Sequence, residues 1–151
     1  MVDQGNDILF FPGDIKFTLR NKADIAKWLH AVSKKHKKRV SSLNYIFVSD
    51  DYLLNINKRF LRHNTLTDII TFDYSADKDG RNGKNGIIGE IYISIPRIKE
   101  NAKTYKVSQT EELHRVMAHG LLHLCGLGDK SPREIKRMRA EEEKALDLRQ
   151  F

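Results

Sequence analysis

The sequence predicts an α/β-type fold, four strands interleaved with about five helices in one domain, and three observations carry that expectation. Short strand-like apolar runs alternate with segments whose apolar residues recur at helical spacing. Capping residues precede those helical segments, and glycines or cationic turns follow them. The 151 residues are enough for one sizeable core, and neither an internal repeat nor a long linker interrupts them.

Residues 15–19, IKFTL, read as the first strand. Asn21 stands as cap of a first helix with Asp24 at its third position, and Ile25, Trp28, Leu29 and Val32 follow a helical stripe. The helix runs out in SKKHKKR, residues 33–39, whose cations lie where the helix dipole favours positive charge. Lys34, Lys35, Lys37, Lys38 and Arg39 read equally as a solvated last turn or as a phosphate-contact patch. LNYIFV, 43–48, is strand-like, and DDYLLNINKRFLR, 50–62, is helical with Leu53, Ile56, Asn57 and Phe60 on one side. DIITFD, 68–73, is a third strand. DKDGRNGKNG, 77–86, is dense in Gly and Asn and reads as an exposed turn before a fourth strand, IIGEIYISI, 87–95. Pro96 opens a helix at a position where proline is tolerated. Ser108 with Glu111 forms a capping-box pattern and starts a helix to about Cys125, ended by Gly126 and Gly128. A last amphipathic helix, 132–148, carries Ile135, Met138, Glu142, Ala145 and Leu146.

Composition narrows the function classes. With 40% hydrophobic and 31% charged residues the chain is globular rather than disordered. No apolar run approaches the roughly 18–20 residues of a membrane span. The start, MVDQGNDILFFPGD, lacks the basic opening and long apolar stretch of a signal peptide, so a cytoplasmic protein is expected. The single cysteine, Cys125, excludes an intrachain disulfide and a multi-cysteine zinc site, and is expected in the core. A net charge of +7 suits a polyanionic partner, although many basic proteins merely have solvated lysine faces.

The chemistry concentrates in HGLLHLCGLGD, residues 119–129. His119 and His123, at i and i+4, put two imidazoles on one helix face, the geometry by which a helix supplies two nitrogens to one zinc ion. The glycines reverse the chain, and Asp129 can swing back as a third ligand, leaving one position for water. The other reading is a pair of buried histidines bonded to backbone or carboxylate. Gly120 stands where zinc proteases of the HExxH type carry their glutamate base, so peptide hydrolysis by that route is not expected. His114 lies about 140° around the helix from His119 and is expected at the surface or behind the site, not as a ligand.

HGLLHLCGLGD resembles the YbeY endoribonuclease signature H-G-x-L-H-L-x-G-x-D-H. INKRFLRHNTLTDIITF, 56–72, resembles that family's L-N-x-x-Y-R-x-x-D-x-P-T-D-V-L-S-F, and GEIYIS, 89–94, its G-D-I-x-I-S. The last helix, with Met138 and Glu142, resembles the family's tail. The resemblance implies an α+β, zincin-like fold with a mixed four-stranded sheet, about five helices and a metal site at a helix end. It implies a zinc-dependent, single-strand-specific endoribonuclease, one Zn2+ per chain. It further implies maturation of the 3′ end of small-subunit ribosomal RNA and ribosome quality control, with ribosomal RNA and the ribosome as partners, no membrane association and a monomeric state. The alternative is a ribosome- or RNA-associated factor with a structural zinc; a small-ester or amide hydrolase is a third reading.

Two departures from the family pattern matter. The family's third ligand, a histidine, falls on Asp129, which is expected to replace it with a carboxylate oxygen; the alternative is that Asp129 stands behind the site and water is the third ligand. The family's functional arginine falls on Leu61, so either Arg59 or Arg62 substitutes in neutralising the phosphate or both are surface cations. Asp68 reads as a cleft residue or a strand-start cap. Glu90, beside Gly89, is expected to orient a ligand histidine.

Overall fold

The structure, a computed structural model, describes residues 7–60, 67–75 and 86–151. Its elements are β1 (Ile8–Pro12), α1 (Lys22–Lys35), β2 (Val40–Val48), α2 (Asp50–Phe60), β3 (Ile69–Asp73), β4 (Ile87–Ser94), α3 (Ile95–Tyr105), α4 (Gln109–Leu124) and α5 (Pro132–Asp147). The four strands lie in the order β1-β2-β4-β3. β1 and β4 run parallel to β2, and β3 is antiparallel to β4, so the sheet is mixed and the fold α+β. The end of the predicted helix beyond Phe60, with Leu61 and Arg62, and most of the predicted 77–86 turn lie outside the described residues.

The first strand is not the expected 15–19. The ladder pairs Ile8–Pro12 with Leu43–Phe47. Gly13 still donates its N–H to the Phe47 carbonyl at 2.8 Å, but Asp14 turns away to accept from the N–H and hydroxyl of Ser49, which leads into α2. From Ile15 to Leu19 the side chains do alternate inward and outward, and Phe17 packs on Phe47 with ring centroids 4.9 Å apart. An extended segment laid on a core has a strand's period of two without its hydrogen bonds. Pro12, which cannot donate to a ladder, is accommodated at the end of an edge strand.

The α1 cap is at Asn21 as expected, but its side chain makes no capping bond. Asn21 takes a left-handed backbone, φ 61°, which asparagine tolerates better than most residues, and its carbonyl accepts from Ile25 N–H. Ser108 accepts from Glu111 N–H as expected, whereas the reciprocal bond goes elsewhere because Glu111 is held by Arg149. The complete capping box is at Ser131 and Glu134, which start α5.

Period-two alternation divides the sheet. Leu43, Tyr45, Phe47, Ile91 and Ile93 face the main core with α1 and α4; Val48 and Ile70 face α2 through Leu53. α4 is the central helix, apolar and buried along most of its length. Two glycines let it lie close on the sheet. A Cβ at Gly120 would come within 2.9 Å of Ile69 and Ile91, and one at Gly89 within 3.1 Å of Leu124. Tyr45 donates to the Met117 carbonyl at 2.8 Å and Trp28 to the Ala145 carbonyl at 2.7 Å. These bonds satisfy the polar ends of the large rings and fix α4 and α5 around the core.

Candidate metal centre

The centre is built by the C-terminal end of α4, the turn after it and the inner face of α5. His119 and His123 project from successive turns of α4, with rings 4.5 Å apart and 82° to each other. Gly126, at φ 105°, reverses the chain. That reversal brings Asp129 Oδ2 to 3.5 Å from His119 Nε2 and 3.1 Å from His123 Nε2. The two Nε2 atoms are 2.9 Å apart. His119, His123 and Asp129 thus form a group that could hold a metal ion, as the spacing predicts.

The opposite side of each ring decides what the group needs. His119 Nδ1 lies 2.7 Å from the Glu142 carboxylate, and His123 Nδ1 lies 2.8 Å from the Leu127 carbonyl. Both partners are acceptors, so each Nδ1 carries the ring proton. With the neutral rings in that tautomer, two Nε2 lone pairs and a carboxylate oxygen converge, an arrangement that calls for a metal ion or a proton. A divalent ion satisfies all three, and the Glu142 and Leu127 bonds are of the kind that orient metal-bound imidazoles. Burial works against a protonated His119, but the bond to Glu142 and the charges of Glu142, Asp129 and Asp68 outweigh it, so its pKa is raised. The donor set, two imidazole nitrogens and one carboxylate oxygen, is one that zinc accepts.

Sequence reasoning missed Glu142 as the partner of His119. Its signal was a carboxylate in an otherwise apolar stripe with Met138, Ala145 and Leu146. The missing HExxH glutamate has a structural reason as well: Gly120 faces β3 and β4, where no larger side chain fits.

A cleft of about 690 Å³ opens from His119 and Asp129 between α4, α5 and the start of β3. Asp68 lines it and also ends the ladder, its carbonyl accepting from Ser94 N–H, so both readings of that residue hold. Burial raises the Asp68 pKa. Glu112 lines the cleft too, its carboxyl pushed up to about 7 by burial and by Asp68. Arg115, one turn before His119, donates to Glu142 at 3.3 Å and Glu143 at 2.7 Å.

Other expected positions fall elsewhere. Glu90 does not orient a histidine; in β4 it is one residue out of step with Gly89 and Ile91, which face α4, and it accepts from Tyr74 at 3.0 Å. Arg59 is exposed at the end of α2, its guanidinium 5.8 Å from the Phe60 ring centre, and is not among the described residues lining the cleft. His114 is neither a ligand nor at the surface; it is buried against Trp28 and Phe151. Cys125 is buried, its thiol pushed up to about 11 by desolvation. Lys34, Lys35, Lys37 and Arg39 are exposed and Lys38 half-buried. Lys35 and His36 line a second groove, about 520 Å³, with Arg137 and Lys144 of α5.

A family model described as Endoribonuclease YbeY matches residues 13–149. A Cytophaga hutchinsonii protein of that name is 50% identical over 144 residues, 95% of this chain and 96% of that one. Another, from Flavobacterium psychrophilum, is 43% identical over 141 residues, 93% of this chain and 96% of that one. The solution structure of a Thermotoga maritima protein superposes with a TM-score of 0.59 over 93% of this chain and 87% of that one; at 23% identity it speaks to the fold alone. The family match runs through every element that builds the cleft, from Asp68 at the start of β3 to Glu142 on α5, and the chain belongs to the YbeY endoribonuclease family.

Proposed function

We propose that this chain is a metal-dependent endoribonuclease that cuts single-stranded RNA, with one zinc ion held by His119, His123 and Asp129. Following its family, its place is in maturation of the 3′ end of small-subunit ribosomal RNA and in ribosome quality control. It works there as one YbeY-type domain, monomeric and cytoplasmic. The observation that carries the reading is the convergence of two Nε2 atoms and the Asp129 carboxylate, with each ring's Nδ1 facing an acceptor. No helix among the described residues is long and apolar enough to cross a membrane, in keeping with an RNA-facing role.

The ion, when bound, supplies positive charge that lowers the pKa of water and polarises a phosphoryl oxygen. The chain's own residues do the rest. Glu142 and the Leu127 carbonyl hold the imidazoles in one tautomer and orientation. The half-exposed Asp129 keeps the group open toward the cleft. A structural ion needs a fourth protein ligand, whereas the group has three among the described residues and Cys125 is buried. Lys35, Arg137 and Lys144 line a groove between α1 and α5 that offers the RNA backbone positive charge, and Lys34, Lys37, Lys38 and Arg39 are further candidates for backbone contact. Arg59, at the end of α2, and Arg62, which lies outside the described residues, are further candidates for backbone contact.

The test is metal content after purification without chelator, followed by cleavage of single-stranded RNA. About one zinc per wild-type chain, lost in both His123→Ala and Asp129→Ala with cleavage lost alongside, is expected. Zinc lost only with His123→Ala removes Asp129 from the ligand set; no zinc in the wild type overturns the reading. Product ends distinguish attack by water from attack by the RNA 2′-hydroxyl. With ~4–6 phosphate contacts, log K falls with log salt at a slope of about −3 to −4, and a flat response excludes RNA as the substrate.

A further inference from the structure

We propose that the cleft beside the metal centre seats one nucleobase of the RNA strand, and that Glu112 reads its amino-bearing edge. The inference rests on the RNA-cleaving role proposed above and names the occupant of the space next to it.

Among the described residues the cleft has the wrong charge for a phosphate chain. Asp68, Glu112, Asp129, Glu142 and Glu143 line it against Arg115 and Arg139, and Arg115 is already engaged by Glu142 and Glu143. A neutral group that donates hydrogen bonds fits this field. The walls suit a flat ring: Ile69, Val107, Ile135 and Met138 are apolar, and Tyr105, 60% exposed, stands at the rim as a stacking surface. The volume, about 690 Å³, exceeds what one base needs and lies in the range of small-molecule sites.

Glu112 marks the polar end. Its side chain is 3% exposed, yet Oε1 has no hydrogen-bond partner, and Arg115 Nε at 3.8 Å is too distant to serve as one. A buried carboxylate oxygen without a hydrogen bond is costly, and a ligand that donates to it removes the cost. Glu112 sits seven residues before His119, two helical turns along one face and about 10 Å away. That is too far to touch a phosphate at the metal centre and suits the base of a neighbouring nucleotide. A second metal ion does not explain it, since Asp68, Glu112 and Glu142 form no converging ligand group among the described residues.

The edge chemistry selects the base. A carboxylate accepts from the two parallel N–H groups of guanine. Uracil offers one N–H between two acceptors, so the second carboxylate oxygen would face a carbonyl oxygen. Burial and Asp68 push the Glu112 carboxyl up to about 7, and two donors facing it favour its ionised form.

The test is fluorescence-anisotropy binding of short 2′-O-methyl oligonucleotides, which resist 2′-hydroxyl attack, to the metal-loaded protein, in four sets differing in one base. The wild type is expected to bind the guanine set roughly tenfold more tightly than the uracil set. Glu112→Gln is expected to reduce that difference to less than twofold. Tyr105→Ala, at an exposed site that leaves the fold undisturbed, is expected to weaken all sets about tenfold. Equal wild-type affinity for all four sets overturns the proposal. So does a preference unchanged in Glu112→Gln or, where that variant does not fold, full affinity in Tyr105→Ala. RNA cleavage with flat base binding sinks the subsite alone; base preference without cleavage sinks the nuclease reading and leaves the subsite standing.

Discussion

Two histidines five residues apart on α4 live under opposite rules. His114 faces Trp28 and Phe151, with ring centroids 5.5 and 5.7 Å away, and its Nδ1 accepts from Arg149 at 2.8 Å. Burial, then the Arg149 charge, pushes its pKa down to about 4. His119 faces carboxylates, its Nδ1 donates to one, and its pKa is raised against the pull of burial. One ring is kept neutral by a dry pocket and a cation; the other is surrounded by acceptors that call for a positive charge. Position on a helix therefore says little about what a histidine does until the facing elements are known. Those elements here are the C-terminal tail for His114 and the inner face of α5 for His119.

The largest expected effect breaks the pair apart. His119→Ala is expected to lose the metal and reduce RNA cleavage about a thousandfold or more, read by elemental analysis and a cleavage assay. His114→Gln keeps the wild-type metal content; loss of metal there would place it in the centre after all.

Acid separates the two next. The folded pKa of His114 lies below its unfolded value near 6.5, so the native state binds fewer protons and stability falls as pH drops from about 6.5 to 4. The loss attributable to His114 approaches about 3 kcal/mol below pH 4. Denaturant unfolding at pH 7 and 4.5, on wild type and His114→Phe, measures it, and the variant should show a flatter profile.

Glu142→Gln acts only on the other histidine. It weakens metal affinity about 10- to 100-fold in a competition titration while the His114 titration, followed by NMR, stays where it was. The smallest effect is at the tail. Arg149→Met removes a cation facing His114 and the bidentate bond to Glu111, at 3.0 and 3.1 Å. The His114 pKa should rise, and stability should fall by about 1 kcal/mol after allowance for solvent screening.

Local signals made much of this legible. The i,i+4 pair, the glycines after it and the nearness of Asp129 in sequence located the group that could hold a metal, because all of it is built within one helix end and one turn. The Ser108 cap and the Pro96 start were equally local. What escaped was nonlocal or degenerate. Glu142 meets His119 across two elements, and nothing near either residue announces the partner. β1 was displaced because residues 15–19 carry a strand's alternation while the ladder bonds belong to Ile8–Pro12. The pattern S-x-x-E occurs at both Ser108 and Ser131, and only tertiary competition from Arg149 for Glu111 decides that Ser131 has the complete box.

The turn between α4 and α5 has one more consequence. Gly128 packs so close to the Glu134 carboxylate that a Cβ there would collide with it, and Glu134 also closes the cap that starts α5. Residues 119 to 142 thus form a continuous clasp: ligands at one end, the histidine's anchor at the other, and a capped turn between. An ion held by His119, His123 and Asp129 would also draw α5 onto α4, which would link binding to folding thermodynamically. The melting temperature should climb with free zinc as RT ln(1 + [L]/Kd) requires, and a chelator should loosen α5 before it disturbs the sheet.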